Sequence, residues 1–292
     1  MSPDIPTRAT ANAKVNLALR VQAARSDGFH PIRGVFQSID WTDELAVEPA
    51  PTDAMVVNRG SAPDDETNLA WRAVDAVRTL AGSTGAVRVT LSQSVPPGAG
   101  LGGGSGDAAA ALILASRRFG VGFDDVRSLA YQLGADVPFA LVGGTAIVGG
   151  IGELVSPEPD ADGFALAMVV PDLVLDTPAV YAAWDRLEGP SGPAFPEASL
   201  PPSLRHFAPL ANDLYPAAVA VAAELDDWRA ELEGSWGTPV AMTGSGSGLF
   251  GYFPTIDEAE HAVGAVPIPT RAAKAVSPIN HGWRVLEEQV AE

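Results

Sequence analysis

One stretch constrains this chain more than any other: Val95-Pro-Pro-Gly-Ala-Gly-Leu-Gly-Gly-Gly-Ser105-Gly-Asp-Ala-Ala-Ala-Ala-Leu-Ile-Leu-Ala115. Five glycines fall between Gly98 and Gly104, and a run of alanines, leucines and an isoleucine follows at once. Ahead of it, Val87-Arg-Val-Thr-Leu91 alternates as a strand does. The order is strand, glycine loop, helix start. Glycines let a backbone approach a ligand closely. A helix N-terminus adds unpaired N–H groups and about half a positive charge. Together they make an anion site of the kind that holds phosphate.

Composition narrows the partners. Net charge is −18, from 36 acidic and 18 basic residues. Such a surface repels nucleic acid and anionic membrane, so neither is expected as a partner. An anionic ligand then needs local donors, which the glycine loop supplies. No cysteine is present, which excludes disulfides, thiolate metal sites and a cysteine nucleophile. No apolar run is long enough for a membrane helix. Met1-Ser-Pro-Asp-Ile-Pro lacks the basic-then-apolar order of a signal peptide, so a cytoplasmic location is expected.

Taken in order, residues 8–22 read as a strand in which Val15, Leu17, Leu19 and Val21 form the apolar face. Position alone makes Lys14 and Asn16 a solvated opposite face. Arg25–Pro31 is a turn, and 34–40 and 43–48 read as two strands. A surface excursion over 50–66 surrounds the short strand Ala54–Val57. A helix follows with Thr67 as N-cap, and another runs from Asp124 to Leu133, capped by Gly134. Asp136 then sits where that helix stops and Pro138 blocks its resumption, in a turn. Residues 143–152 form a glycine-flanked strand, and 156–162 are the best domain boundary. Beyond it lie a buried strand over 164–170, a helix with Thr177 at N-cap and Pro178 first, a mobile loop over 188–203 and a helix over 212–233. Val240–Phe253 reads as strand, glycine turn, strand, followed by a helix over 257–263 and a last strand near 274–277.

The glycine loop admits three readings. Gly98-x-Gly100-x-x-Gly103, with Asp124 or Asp125 about 20 residues on, satisfies the dinucleotide-binding pattern. Its place in mid-domain and the two prolines before it argue against that. The P-loop pattern needs a lysine before Ser105 and finds Gly104. The third reading is a resemblance. Pro96 to Ala109 is similar to the phosphate loop of the GHMP kinases. Two further blocks stand in that family's order: Ala13-Lys-Val-Asn-Leu17 and Thr243-Gly-Ser-Gly-Ser-Gly-Leu249. Asp27-Gly-Phe-His30, Phe36-Gln37 and Leu133-Gly-Ala-Asp-Val-Pro-Phe139 resemble the branch that phosphorylates a cytidine-diphosphate-linked methylerythritol in the non-mevalonate route to isoprenoid precursors.

The resemblance implies an α+β fold of two domains. Residues 1–155 would be a ribosomal-protein-S5-like α/β domain, and 156–292 a ferredoxin-like α+β domain, with the active site between them. It implies ATP as donor, Mg²⁺ as companion, a small-molecule acceptor, and a monomer or weak homodimer. It assigns Lys14 and Asp136 to catalysis, with Asp136 as general base. It places Pro97, Gly98, Ala99, Gly100, Leu101, Gly102, Gly103, Gly104, Ser105, Gly106 and Asp107 around the ATP phosphates, and Asn68 and Leu69 near adenine. Asn16, Phe29, His30, Thr177, Tyr181, Gly244, Ser245 and Gly246 would meet the acceptor, with Phe29 and Tyr181 sandwiching the base, His30 on its edge and Asn16 on the polyol. Ser105 and Asp107 are the polar side chains at the helix start within reach of a metal, Ser105 the candidate. Three positions depart from the family: Phe29 replaces a frequent tyrosine, Asn12 a frequent proline, and Gly106 a Ser or Ala. Gly106 is expected to weaken the helix start by up to ~1 kcal/mol. Two alternatives stay open: a superfamily kinase for a smaller alcohol such as homoserine or mevalonate, and a catalytically silent relative.

Overall fold

A computed structural model describes residues 7–266 and 269–286. Its elements in chain order are β1 (Arg8–Val21), β2 (Ile32–Pro49), β3 (Ala54–Arg59), α1 (Leu69–Leu80), β4 (Val87–Ser92), α2 (Gly103–Phe119), α3 (Phe123–Leu133), α4 (Val137–Val142), β5 (Thr145–Gly150) and β6 (Leu154–Pro157). Then come β7 (Ala165–Val170), α5 (Thr177–Arg186), α6 (Tyr215–Val221), α7 (Glu224–Trp236), β8 (Val240–Met242), β9 (Leu249–Phe253), α8 (Ile256–Gly264), β10 (Ala272–Val276) and β11 (Trp283–Leu286). The fold is α+β.

Among the described residues, seven strands form one sheet, in the order β11-β1-β2-β4-β3, with β5 and β6 continuing from β2. The segments 34–40 and 43–48 are a single strand, β2. It pairs with β1 along most of its length, and shifts of register after Asn12 and Asn16 absorb the bend. On its other side β2 is shared between β5, over Ile32–Gln37, and β4, over Glu44–Pro49. A second sheet has four antiparallel strands, β10-β7-β9-β8. The strand expected near 274–277 is β10, and the chain then returns to the first sheet as β11.

Helix α2 is the centre of the first layer. Every residue from Gly106 to Ala115 is buried, which its unbroken small and apolar run permits, and it packs on α1, β1 and β2. Gly106 has a cause here: a Cβ on it would lie 2.7 Å from the carbonyl oxygen of Asn12, so glycine lets α2 lie directly on β1. Helix α1 turns Ala70, Ala73, Val74 and Val77 to α2, the spacing of one helical face.

Four local expectations are corrected. Asn68, not Thr67, caps α1, its Oδ1 accepting from Ala70 N at 2.9 Å, while Thr67 is tied to Asp65. Asp176, not Thr177, caps α5, its Oδ2 accepting from Ala179 N at 3.1 Å. Pro138 does not block a helix; it occupies the first turn of α4, where its missing N–H is not needed, and Asp136 is the residue before that helix. The span 212–233 is two helices, α6 and α7, because Ala222 takes an extended conformation between them. Asn212 lies outside both, and its amide donates to Met242 O and Gly244 O at 2.8 Å each.

Candidate active site

A cleft of about 740 Å³ opens where the two sheets and the glycine loop meet. Lys14 and Asn16 reach it from β1. They are not a solvated face: both lie in a strand buried on both sides, at 6 % and 2 % exposure. A buried ammonium needs partners. Lys14 Nζ has three: Asn16 Oδ1 at 2.7 Å, Gly100 O at 2.8 Å and the Asp136 carboxylate at 3.2 Å. It also stands 5.3 Å over the Phe36 ring. Asp136 is more open than Lys14, with its side chain 30 % exposed.

The glycine loop alternates. Gly98, Gly100 and Gly102 have φ of +65°, +73° and +66° and line the cleft; Ala99 and Leu101 between them are buried in the core. The positive φ lets each second residue turn inward while the glycines keep the outer face bare. At Gly100 space adds to conformation, since a Cβ there would strike the carbonyl of Thr243. Ser105 lines the cleft at the first turn of α2. At that end Ser105 N and Gly106 N both donate to Gly102 O, at 3.0 and 2.9 Å, and the first N–H groups of the helix, at Gly103 and Gly104, precede any intrahelical acceptor.

Other loop residues face elsewhere. Pro97 offers its carbonyl to Arg271, at 2.9 Å. Gly106 abuts β1. Asp107 is buried against the Asp43 carboxyl and does not line the cleft, so it is not available to a metal. Gly103 and Gly104 begin α2, and the Leu69 side chain lies 3.7 Å from where a Cβ on Gly104 would be. Asn68, beside it, spends both ends of its amide on Ala70 N and Pro63 O.

At the other end of the cleft stand Phe29, His30, Thr177 and Tyr181. Phe29 is 58 % exposed. The His30 ring lies 5.0 Å from that of Tyr181 and 5.6 Å from that of Trp184, and its Nε2 donates to Asp185 at 2.9 Å. Burial, with the Asp136 charge behind it, pushes the Tyr181 hydroxyl up to about 12, so it stays protonated. Thr177, free of the capping role, hydrogen-bonds through its hydroxyl to that of Ser245, at 2.7 Å. Gly244, Ser245 and Gly246 close that wall.

Sequence reasoning missed three contributors. Asp185 follows Thr177 and Tyr181 at helical spacing on one face of α5, a signal that was present. Asp43 lies under the glycine loop, its Oδ1 accepting from Ser94 N and from Val95 N, the latter at 2.7 Å. Thr243 bonds to both Asn16 and Gly100. Asp43 had no local signal; Thr243 heads the glycine block already singled out, but its contacts lie far away in the chain and gave no hint of its role.

Comparison with known proteins agrees with this geometry. Residues 68–144 match the family described as GHMP kinases N terminal domain. A 4-diphosphocytidyl-2-C-methyl-D-erythritol kinase of Nocardia farcinica is 38 % identical, over 75 % of this chain and 76 % of that protein. One from Cereibacter sphaeroides is 36 % identical, over 96 % and 97 %. A crystal structure of 4-(cytidine 5'-diphospho)-2C-methyl-D-erythritol kinase superposes with a TM-score of 0.77 at 35 % identity, covering 92 % of this chain and 99 % of that one. Homoserine kinase from Cytophaga hutchinsonii shares the fold, with a TM-score of 0.70 at 16 % identity and coverage of 98 % and 99 %. With Lys14, Asp136 and a bare glycine loop converging on one cleft, and with relatives matched from end to end, the chain belongs to the 4-diphosphocytidyl-2-C-methyl-D-erythritol kinase family, within the GHMP kinases.

Proposed function

We propose that the protein transfers the γ-phosphoryl group of ATP to the 2-hydroxyl of 4-diphosphocytidyl-2-C-methyl-D-erythritol, releasing ADP and the 2-phosphate. The observation that carries this reading is the Lys14–Asp136 pair, 3.2 Å apart, in the same cleft as the loop Gly98–Gly102 and the aromatic group at His30.

Phosphoryl transfer is chiefly positioning and charge stabilisation. The glycine loop and the start of α2 hold the ATP phosphates by backbone N–H groups. The acceptor hydroxyl lies against Asp136. Its oxygen bonds to the γ-phosphorus, the bond to the β–γ bridging oxygen breaks, and the proton passes to Asp136. Lys14, 3.2 Å from Asp136, balances charge on the reacting oxygens. Asn16 hydrogen-bonds the polyol. Phe29 and Tyr181 flank the cytosine, since stacking on a base is worth ~1–3 kcal/mol, and His30 meets its edge. Thr177, Gly244, Ser245 and Gly246 border the acceptor; Leu69 and Asn68 flank the adenine side.

Mg²⁺ fits this cleft as a companion of phosphate. Among the described residues no three His, Asp or Glu side chains converge to hold a metal. With Asp107 turned inward, Ser105 is the cleft-lining hydroxyl at the start of α2 that would contact the ion, and phosphate oxygens and water would supply the other ligands, as Mg²⁺ prefers. The ion would neutralise charge on the transferring group. The division near residue 155 belongs to the same reading, with β6 running past it to Pro157 and β11 returning to the first part: the first part brings Lys14, Asp136 and the donor loop, and the second brings Thr177, Tyr181 and the turn at Gly244. A cytoplasmic enzyme, monomeric or weakly dimeric, accords with it.

The test is direct. Protein incubated with ATP, Mg²⁺ and the cytidine-diphosphate methylerythritol releases ADP in step with loss of the alcohol. Asp136→Asn lowers kcat by ~10²–10⁴-fold while ATP-analogue affinity stays within ~3-fold, the usual scale for general-base loss. ADP release with homoserine or mevalonate but not with the cytidyl substrate overturns the acceptor; full activity in Asp136→Asn removes that residue as base.

A further inference from the structure

Two glycine segments far apart in sequence, Gly98–Gly102 and Gly244–Gly248, meet at one residue. Thr243 follows β8, is fully buried, and does not line the cleft. Its backbone is locked within its own turn: Thr243 N donates to Gly248 O at 2.9 Å, and Gly246 N donates to Thr243 O at 3.0 Å. The turn is pinned to the donor loop by Gly248 N, which donates to Ala99 O at 3.1 Å. The Thr243 hydroxyl accepts from Asn16 N at 2.9 Å, and its one proton faces Asn16 Oδ1 and Gly100 O, each 3.3 Å away.

Those two oxygens are the ones Lys14 Nζ also holds, at 2.7 and 2.8 Å. Lys14 and Thr243 therefore grip Asn16 Oδ1 and Gly100 O from two sides. Two consequences follow. With its carbonyl oxygen committed to both, Asn16 presents only its NH2 to a solute. And the donor loop is tied to the acceptor-side strand by the Thr243 hydroxyl at Gly100 O together with Lys14, whose Nζ donates to the same oxygen and whose backbone N donates to Leu101 O at 2.9 Å. Thr243 directly follows β8 of the second sheet, so its bonds to Asn16 and Gly100 cross between the two parts of the molecule.

We propose that Thr243 is a positioning residue, whose hydroxyl sets the gap between the phosphate-donor loop at Gly100 and the acceptor-binding amide of Asn16. This deepens the kinase reading and rests on it. A misplacement of about 1 Å between reacting groups costs on the order of 10²-fold in rate.

The experiment compares Thr243→Val, which keeps shape and loses the hydroxyl, with Thr243→Ser, which keeps the hydroxyl. Thr243→Ala serves in place of valine if that variant does not fold. Steady-state kinetics give kcat and both KM values, calorimetry gives the affinity for a non-hydrolysable ATP analogue without any alcohol, and melting temperature monitors the fold. In the valine variant kcat falls by about 10- to 100-fold and analogue affinity by about 3- to 10-fold, while the KM for the alcohol moves less than ~2-fold. The serine variant returns both kcat and affinity to within ~3-fold of the parent. Parent-like kcat and affinity in the valine variant overturn the proposal. So does a serine variant as impaired as valine, which would assign the effect to the buried methyl. If the parent does not phosphorylate the cytidyl substrate, the acceptor reading fails on its own; the analogue-affinity series still decides whether the hydroxyl holds the donor loop.

Discussion

Asp107 stands at the start of α2, where a carboxylate reads as a metal or phosphate-side group, yet it is buried against Asp43. Oδ2 of Asp43 and Oδ1 of Asp107 have no partner beyond that contact. Two ionised carboxylates there would repel, so the pair is read as sharing a proton. Burial, the Asp43 charge and the bond between them push Asp107 well above the usual carboxylate range, and burial raises Asp43 as well. In the unfolded chain Asp107 ionises near ~3.9. The raised folded value means that this contribution to stability is complete below that pH and lost as pH rises through the folded value. Asp107→Asn donates the same hydrogen bond without titrating. Its melting temperature is expected to match the parent below about pH 3.9 and to exceed it by about 2–8 °C at pH 8; equal values at both pH ends would mean that no proton is shared. Lys14 shows the same limit of local reading. Its alternation along β1 marked a wet face, and only the layers on both sides of the strand make it a buried cation.

At the scale of elements, α2 and the strand beneath it are held together by what is missing. Helix propensity alone says that Gly106→Ala stabilises α2, by up to ~1 kcal/mol. The contact with Asn12 O says the reverse, since the new methyl has no room. The contact decides, because backbone on both sides is fixed by sheet and helix. Gly106→Ala is expected to lower unfolding free energy by about 1–3 kcal/mol in chemical denaturation, the scale of overpacking; a stabilised variant would show that α2 can lift off β1. Helix α5 makes the complementary point. Its register places Thr177, Tyr181 and Asp185 on one face. Asp176 takes over the capping bond and leaves the Thr177 hydroxyl to Ser245.

For the whole molecule, a net charge of −18 surrounds a cleft that must admit an anion. The long-range field opposes an anion such as ATP, and on the proposed reading the loop N–H groups and Lys14 favour it locally. Salt screens the long-range part over ~8–10 Å and leaves the contact terms. Raising ionic strength from ~10 to ~150 mM is therefore expected to increase kcat/KM for ATP by about 2- to 5-fold in stopped-flow or steady-state assays; a steady fall with salt would mean that the cleft's own cations govern encounter. The sequence by itself determined whatever depends on neighbours within a turn or a strand: the strand–loop–helix unit at Val87–Ala115, the Lys14-Val-Asn16 block, the helix around Thr177, and the acidic balance. It did not determine that 34–48 is one strand, that Asp107 turns away from the cleft, that β11 returns to β1, or that Thr243 joins Asn16 to Gly100. Each of those pairs groups some 30 to 275 residues apart, and no local pattern encodes such a meeting. It is decided by which layers the core brings into contact, and by the hydrogen bonds that buried polar groups must then find.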